Sequence, residues 1–201
     1  IYMFIVGIIA INFLSYYVEN GVTRKTYFFG NVLASLGLSI TIPILSYLIS
    51  LIEKIFFNRA IDFKVIEETL NEVVLDLDGH FLGDIVVSFV LAPYIDINTN
   101  AILSFSLFAI NIFVFYIVGW LISAAFYRLG VIPGLIMIAV GIGFIAIKDT
   151  MLRLSMDTPI FKTYEILSVI PKGFAIPVLI VTILITFWII YMLVKRAPVK
   201  M

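Results

Sequence analysis

"AILSFSLFAINIFVFYIVGWLISAAF", residues 101–126, decides the fold. It contains no charged side chain, and its few polar groups are Ser104, Ser106, Asn111 and Ser123. Apolar residues do not alternate with polar ones, so the run reads as a helix and not as a barrel strand. A helix crosses the hydrocarbon core of a bilayer with ~20 apolar residues. This stretch is therefore a membrane span.

Working outward, four more runs share this character: 1–18, 31–57, 131–147 and 174–194. Glu53 and Lys54, at the far end of the second, are the only charges within these limits. The whole chain has 201 residues, 63% hydrophobic and 13% charged, with a mean hydropathy of +1.17. A water-soluble domain of this size could not hide so much apolar surface. The fold class expected is all-α: a polytopic transmembrane bundle forming one domain over 1–201, with five spans in this sequence. Ile1 already lies inside an apolar run without a basic leader, so one further helix is expected before it, six in all.

Charge orients the bundle. With 19–30 in the cytoplasm, the 127–130 turn and the 195–201 tail face the same side. These segments hold Arg24, Lys25, Arg128, Lys195, Arg196 and Lys200 against Glu19 alone, and the other side is left with a surplus of acid. Lysine and arginine favour the cytoplasmic side.

Two outer regions remain. In 58–100, Phe63, Ile66, Leu70, Val73 and Leu77 recur at helical spacing against an acidic face, an amphipathic helix ended by Gly79. The following stretch, with Asp84 and Pro93, reads as an outer or re-entrant helix. Residues 148–173 form the second outer loop, where Leu152, Met156 and Ile160 suggest a short interfacial helix.

No catalytic or metal-binding constellation is visible. The chain has no cysteine and one histidine, His80, so thiol chemistry and paired-histidine zinc motifs are excluded. Walker and G-x-S-x-G motifs are absent. A formal net charge of zero gives nucleic acid no electrostatic footing. "GIGF" at 141–144 suits close helix packing through small residues. The span interiors read as free of charge, which argues against a proton relay or an ion channel, and Asn12 and Asn111 read as interhelical hydrogen-bond partners.

The loop "ENGVTRKTYFFGN", residues 19–31, is more specific. Asn20–Gly21 turns the chain, and Thr23 is placed to cap a helix. Arg24 and Lys25 would then face the cytoplasm while Tyr27, Phe28 and Phe29 sit among lipid headgroups. A short surface helix of this kind, returning to the membrane near Asn31, would be a lever on two spans.

"NGVTRKTYFFGNVLASL" (20–36) resembles the segment between the second and third spans of ABC-2-type transporter permeases, which carry a G-[VTS]-[ST]-R-[KR]-x-[FY] run there. "IVGWLISAAFYRLG" (117–130) resembles the end of their fourth span. The resemblance implies an exporter subunit with six helices and a second permease subunit, identical or different. It also implies a separate cytoplasmic ABC ATPase, which binds ATP and Mg, so that this chain is not an enzyme and needs no cofactor of its own. The coupling helix would be built from Gly21, Thr23, Arg24, Lys25 and Phe28. An apolar translocation path would suit a peptide antibiotic or toxin, a lipid-like molecule or a hydrophobic drug, and a bacterial plasma membrane is the expected setting. Two other classes stay open: a non-transporting sensor or scaffold whose acidic 58–100 region binds a ligand, and a secondary transporter.

Overall fold

The structure is a computed structural model that describes residues 2–57, 83, 101–157, 160 and 162–198. The expectations for 58–100, namely the amphipathic helix, His80 and the helix near Asp84, therefore lie outside the described residues apart from Gly83. The described chain is all-helical: α1 (Tyr2–Ala10), α2 (Phe13–Glu19), α3 (Arg24–Phe57), α4 (Ala101–Leu129), α5 (Val131–Ser155), a 3-10 helix (Lys162–Val169) and α6 (Lys172–Lys195). Four helices are long and apolar enough to span a membrane, and α1 with α2 makes a fifth if the pair is one broken span.

α4 is the central post, in contact with α1, α3, α5 and α6. It buries Val114, Ile117, Val118, Trp120, Leu121, Ala124 and Ala125 almost completely. Its closest neighbour is α1. Gly7 and Gly119 meet where the two helices cross: a Cβ on Gly119 would collide with the Phe4 carbonyl, and one on Gly7 with the Tyr116 carbonyl. Backbones approach this closely only through small residues, the usual contact of membrane helices. In "GIGF", Gly141 does pack tightly against Val118 and Ile122, whereas Gly143 faces open space.

Three expectations change. The run 1–18 is not one straight helix. Asn12 N–H bonds to Ile9 O and Leu14 N–H to Ile11 O, both at 3.0 Å, and this local tightening divides α1 from α2 at a bend of 41°. Asn12 lies exposed at that break without making a capping bond, so it is not the interhelical partner expected.

The short surface helix is not a separate element, because α3 runs without interruption from Arg24 to Phe57. At ~1.5 Å per residue this helix is ~50 Å long, more than a hydrocarbon core of ~30 Å requires. Residues 24–30 are thus its first turns.

The span expected to stop at 147 continues to Ser155. Met151, Leu152 and Leu154 carry its apolar packing onward, and Lys148, Asp149 and Thr150 are fully buried. The outer loop does not begin at 148, and the bundle interior is not free of charge.

Candidate functional site

The basic segments meet at one end of the bundle. α2 ends in a Schellman turn: Val22 N–H reaches Tyr17 O at 2.9 Å, Gly21 N–H reaches Val18 O at 3.1 Å, and Gly21 adopts φ +85°. A side chain is strained at that φ, so glycine makes the turn possible. Thr23 then caps α3 by accepting from Thr26 N–H at 3.1 Å, as its position suggested. Gly21 and Thr23 thereby build the corner between α2 and α3.

Arg24 and Lys25 are not equivalent. Arg24 is half-buried and donates from Nη1 to Lys195 O at 3.4 Å. Arg128 donates to Met192 O at 2.7 Å. Both acceptors belong to the last turn of α6, whose carbonyls have no helical donors and carry the negative end of the helix dipole. Two arginines therefore cap α6 from α3 and α4. Lys25 is exposed, and among the described residues it has no comparable bond.

Phe28 roots the corner. It is buried, stacked on Trp120 with centroids 5.4 Å apart, and it meets Phe187 and Tyr191 of α6 edge-on. It faces the bundle and not the surroundings. Its neighbour Tyr27 donates to Ala10 O at 2.5 Å. Ala10 is where the helical ladder slips, because Leu14 N–H has turned to Ile11 O. The Tyr27 hydroxyl gives that carbonyl a donor, and so ties the start of α3 to the break in the first span. Ser15 and Tyr127 hydroxyls add a 3.1 Å bond from α2 to α4. Three buried donors near this end, Arg24 Nε, Asn31 Nδ2 and Trp120 Nε1, have no acceptor among the described residues.

A second polar cluster occupies the other end. Lys148 lies ~26 Å along α5 from its start. Its ammonium donates to Asn111 Oδ1 on α4 at 2.6 Å and stands 5.6 Å from the Phe115 ring centroid. Through this bond Asn111 is the interhelical partner expected, and its own amide donates to Leu107 O within α4 at 3.0 Å. Asp149 accepts from Arg153 Nε at 2.8 Å through Oδ2, while its Oδ1 lies 3.9 Å from Lys148 Nζ and accepts no hydrogen bond. Buried ionisable groups in membrane spans are costly and mark functional positions. The sequence reading missed Lys148, Asp149 and Arg153. The available signals were the i,i+4 spacing of Asp149 and Arg153 and the apolar residues that continue beyond them.

On the corner side of the bundle, an apolar groove of about 570 Å³ follows the broken first span, lined by Phe4, Ile8, Ile11, Ile122, Phe126 and Ile138 with Asn12, Ser123 and Tyr127. Among the described residues no group of three or more His, Cys, Asp or Glu side chains could hold a metal ion. No protein-family model, curated protein or solved structure matches the chain.

Proposed function

We propose that this chain is the membrane-spanning subunit of an ATP-driven ABC exporter, with the α2–α3 corner as the contact for a separate cytoplasmic ATPase. The observation that carries this reading is the division of labour at the corner. Lys25 is exposed, while Phe28, three residues on, is embedded between α4 and α6. A force applied at Lys25 is passed to the central post and, through Tyr27, to the broken first span. The motif resemblance at 20–36 and 117–130 supports the same reading, since both stretches lie at this end.

In this scheme the ATPase binds ATP and Mg, and this chain performs no bond chemistry. Closure of the ATPases presses the corner and tilts the spans. A hydrophobic or amphipathic substrate, a peptide antibiotic or toxin, a lipid-like molecule or a drug, moves between two permease subunits in a bacterial plasma membrane.

The test is co-purification of the full-length protein from its native membrane, followed by Lys25→Glu. An ATP-hydrolysing partner should come down with the parent, and the charge reversal should weaken that association or uncouple hydrolysis from transport. Arg24 is the poorer probe, because it also caps α6. Normal assembly and substrate-stimulated hydrolysis in Lys25→Glu would reject the docking role.

The buried Lys148–Asp149 pair favours a second reading, a secondary transporter, because the absence of buried charge no longer argues against one. Transport that survives ATP depletion but collapses with the membrane potential would select it.

A further inference from the structure

We infer that Lys148 is a two-position latch between α4 and α5, with Asn111 Oδ1 as one acceptor and Asp149 Oδ1 as the other. The described position is the closed one. The ammonium crosses the helix interface and holds Asn111 at 2.6 Å, already a short charge-assisted bond. Asp149 Oδ1 is the acceptor left over. It is wholly buried, 3.9 Å from Nζ, and without a hydrogen bond, whereas Oδ2 of the same carboxylate is engaged by Arg153 at 2.8 Å. A movement of Nζ by roughly 1 Å would bring it within bonding distance of Oδ1.

The two positions compete for geometric reasons. Residues i and i+1 of a helix do not face each other, so the ammonium reaches Asp149 only by swinging back onto the surface of its own helix. That movement draws it away from α4. Asn111 is then left with its bond to Leu107 O, which lies within α4 and joins nothing across the interface. In either position the ammonium keeps a hydrogen-bonded partner, and Asp149 gains one in the open position. Neither state strands a buried charge, which is what an element with two discrete arrangements requires. The Phe115 ring, one turn from Asn111 on α4, gives the cation a weak second hold on the closed side. Release would leave the end of α5 joined to α4 by apolar packing alone, the cluster of Leu107 with Met151, Leu152 and Leu154, which can slide where the polar tie could not. This inference concerns the bundle itself and stands whether or not an ATPase docks at the corner.

The experiment uses the full-length protein in lipid nanodiscs, with spin labels on cysteines placed at Ser106 of α4 and Ser155 of α5. Both positions are exposed and near this end, and the chain has no native cysteine. Pulsed dipolar spectroscopy reads the distance between them. Asn111→Leu removes the α4 acceptor and should raise the longer-distance population on the order of tenfold, with the protein still folded because Asp149 takes the ammonium. Asn111→Asp puts a charged acceptor on α4 and should give a single narrow distribution at the short distance. An unchanged distribution in Asn111→Leu, or a broadened one in Asn111→Asp, would overturn the latch. Failure of Asn111→Leu to fold would also overturn it, since a second acceptor should keep the ammonium satisfied.

Discussion

The two ends of α4 are built from different chemistry. Near Leu129 the bundle is locked by aromatic stacking, a glycine crossing and arginine caps. Trp120 lies between Phe28, Tyr27 and Tyr116, and Arg24 and Arg128 hold the last turn of α6. At the level of Asn111 the joint to α5 combines apolar packing, with Leu107 clustered with Met151, Leu152 and Leu154, and one buried ammonium beside an ion pair. The first end is held by many contacts whose energies accumulate. The second adds to its apolar packing one hydrogen bond whose partner can change. A lever needs the first kind of joint, and a release point needs the second. In the proposed scheme, their placement on one helix would let a push at the corner be felt at the Asn111 joint.

The comparison is tested most severely at Asp149. Asp149→Leu should cost about 3–5 kcal/mol, because it leaves Lys148 buried beside Arg153 with no carboxylate between them. Adding Lys148→Met should restore much of that loss. Thermal unfolding in detergent, followed by intrinsic fluorescence, gives both values. Equal stability of the single and double variants would mean that the pair does not act as a charge-balanced unit.

The glycine crossing comes next. Gly119→Val drives a branched side chain into the Phe4 carbonyl, a backbone atom that cannot swing aside, and should cost about 3 kcal/mol. Gly143→Ala faces open space and should be neutral or slightly stabilising, as expected for a helix interior. Matched losses in the two variants would place the tight contact elsewhere.

A smaller effect is expected at Tyr27. Tyr27→Phe keeps the ring but removes the donor to Ala10 O, leaving that carbonyl unsatisfied at a cost of about 1–3 kcal/mol. Hydrogen exchange at residues 10–14 should accelerate while the α4 core around Trp120 stays protected. Uniform acceleration would show that Tyr27 supports the bundle as a whole and has no local task at the break.

Much of this architecture was legible in the sequence. Long apolar runs without strand-like alternation mark α3 to α6, and Gly21 and Thr23 carry the chemistry of the turns they occupy. What could not be read was set by contacts distant in sequence. Arg24 and Lys25 are adjacent cations, and only the position of the α6 terminus makes one a cap and leaves the other exposed. Lys148 and Asp149 read as the start of a loop because charge commonly ends an apolar run. They are helical and buried because Asn111, far away in sequence, offers an acceptor and Arg153 neutralises the acid. The break after Ala10 carries no proline or glycine, and the donor that satisfies it comes from Tyr27 on another helix.

The central claim is that an ATPase meets this protein at the α2–α3 corner. The direct measurement is site-specific photo-crosslinking in native membranes from residue 25, with residue 166, exposed on the 3-10 helix, as the comparison position. The account predicts one adduct from residue 25, identified by mass spectrometry and nucleotide binding as an ABC-type ATPase, and no such adduct from residue 166. No ATPase adduct from residue 25, or equal adducts from both positions, would contradict it.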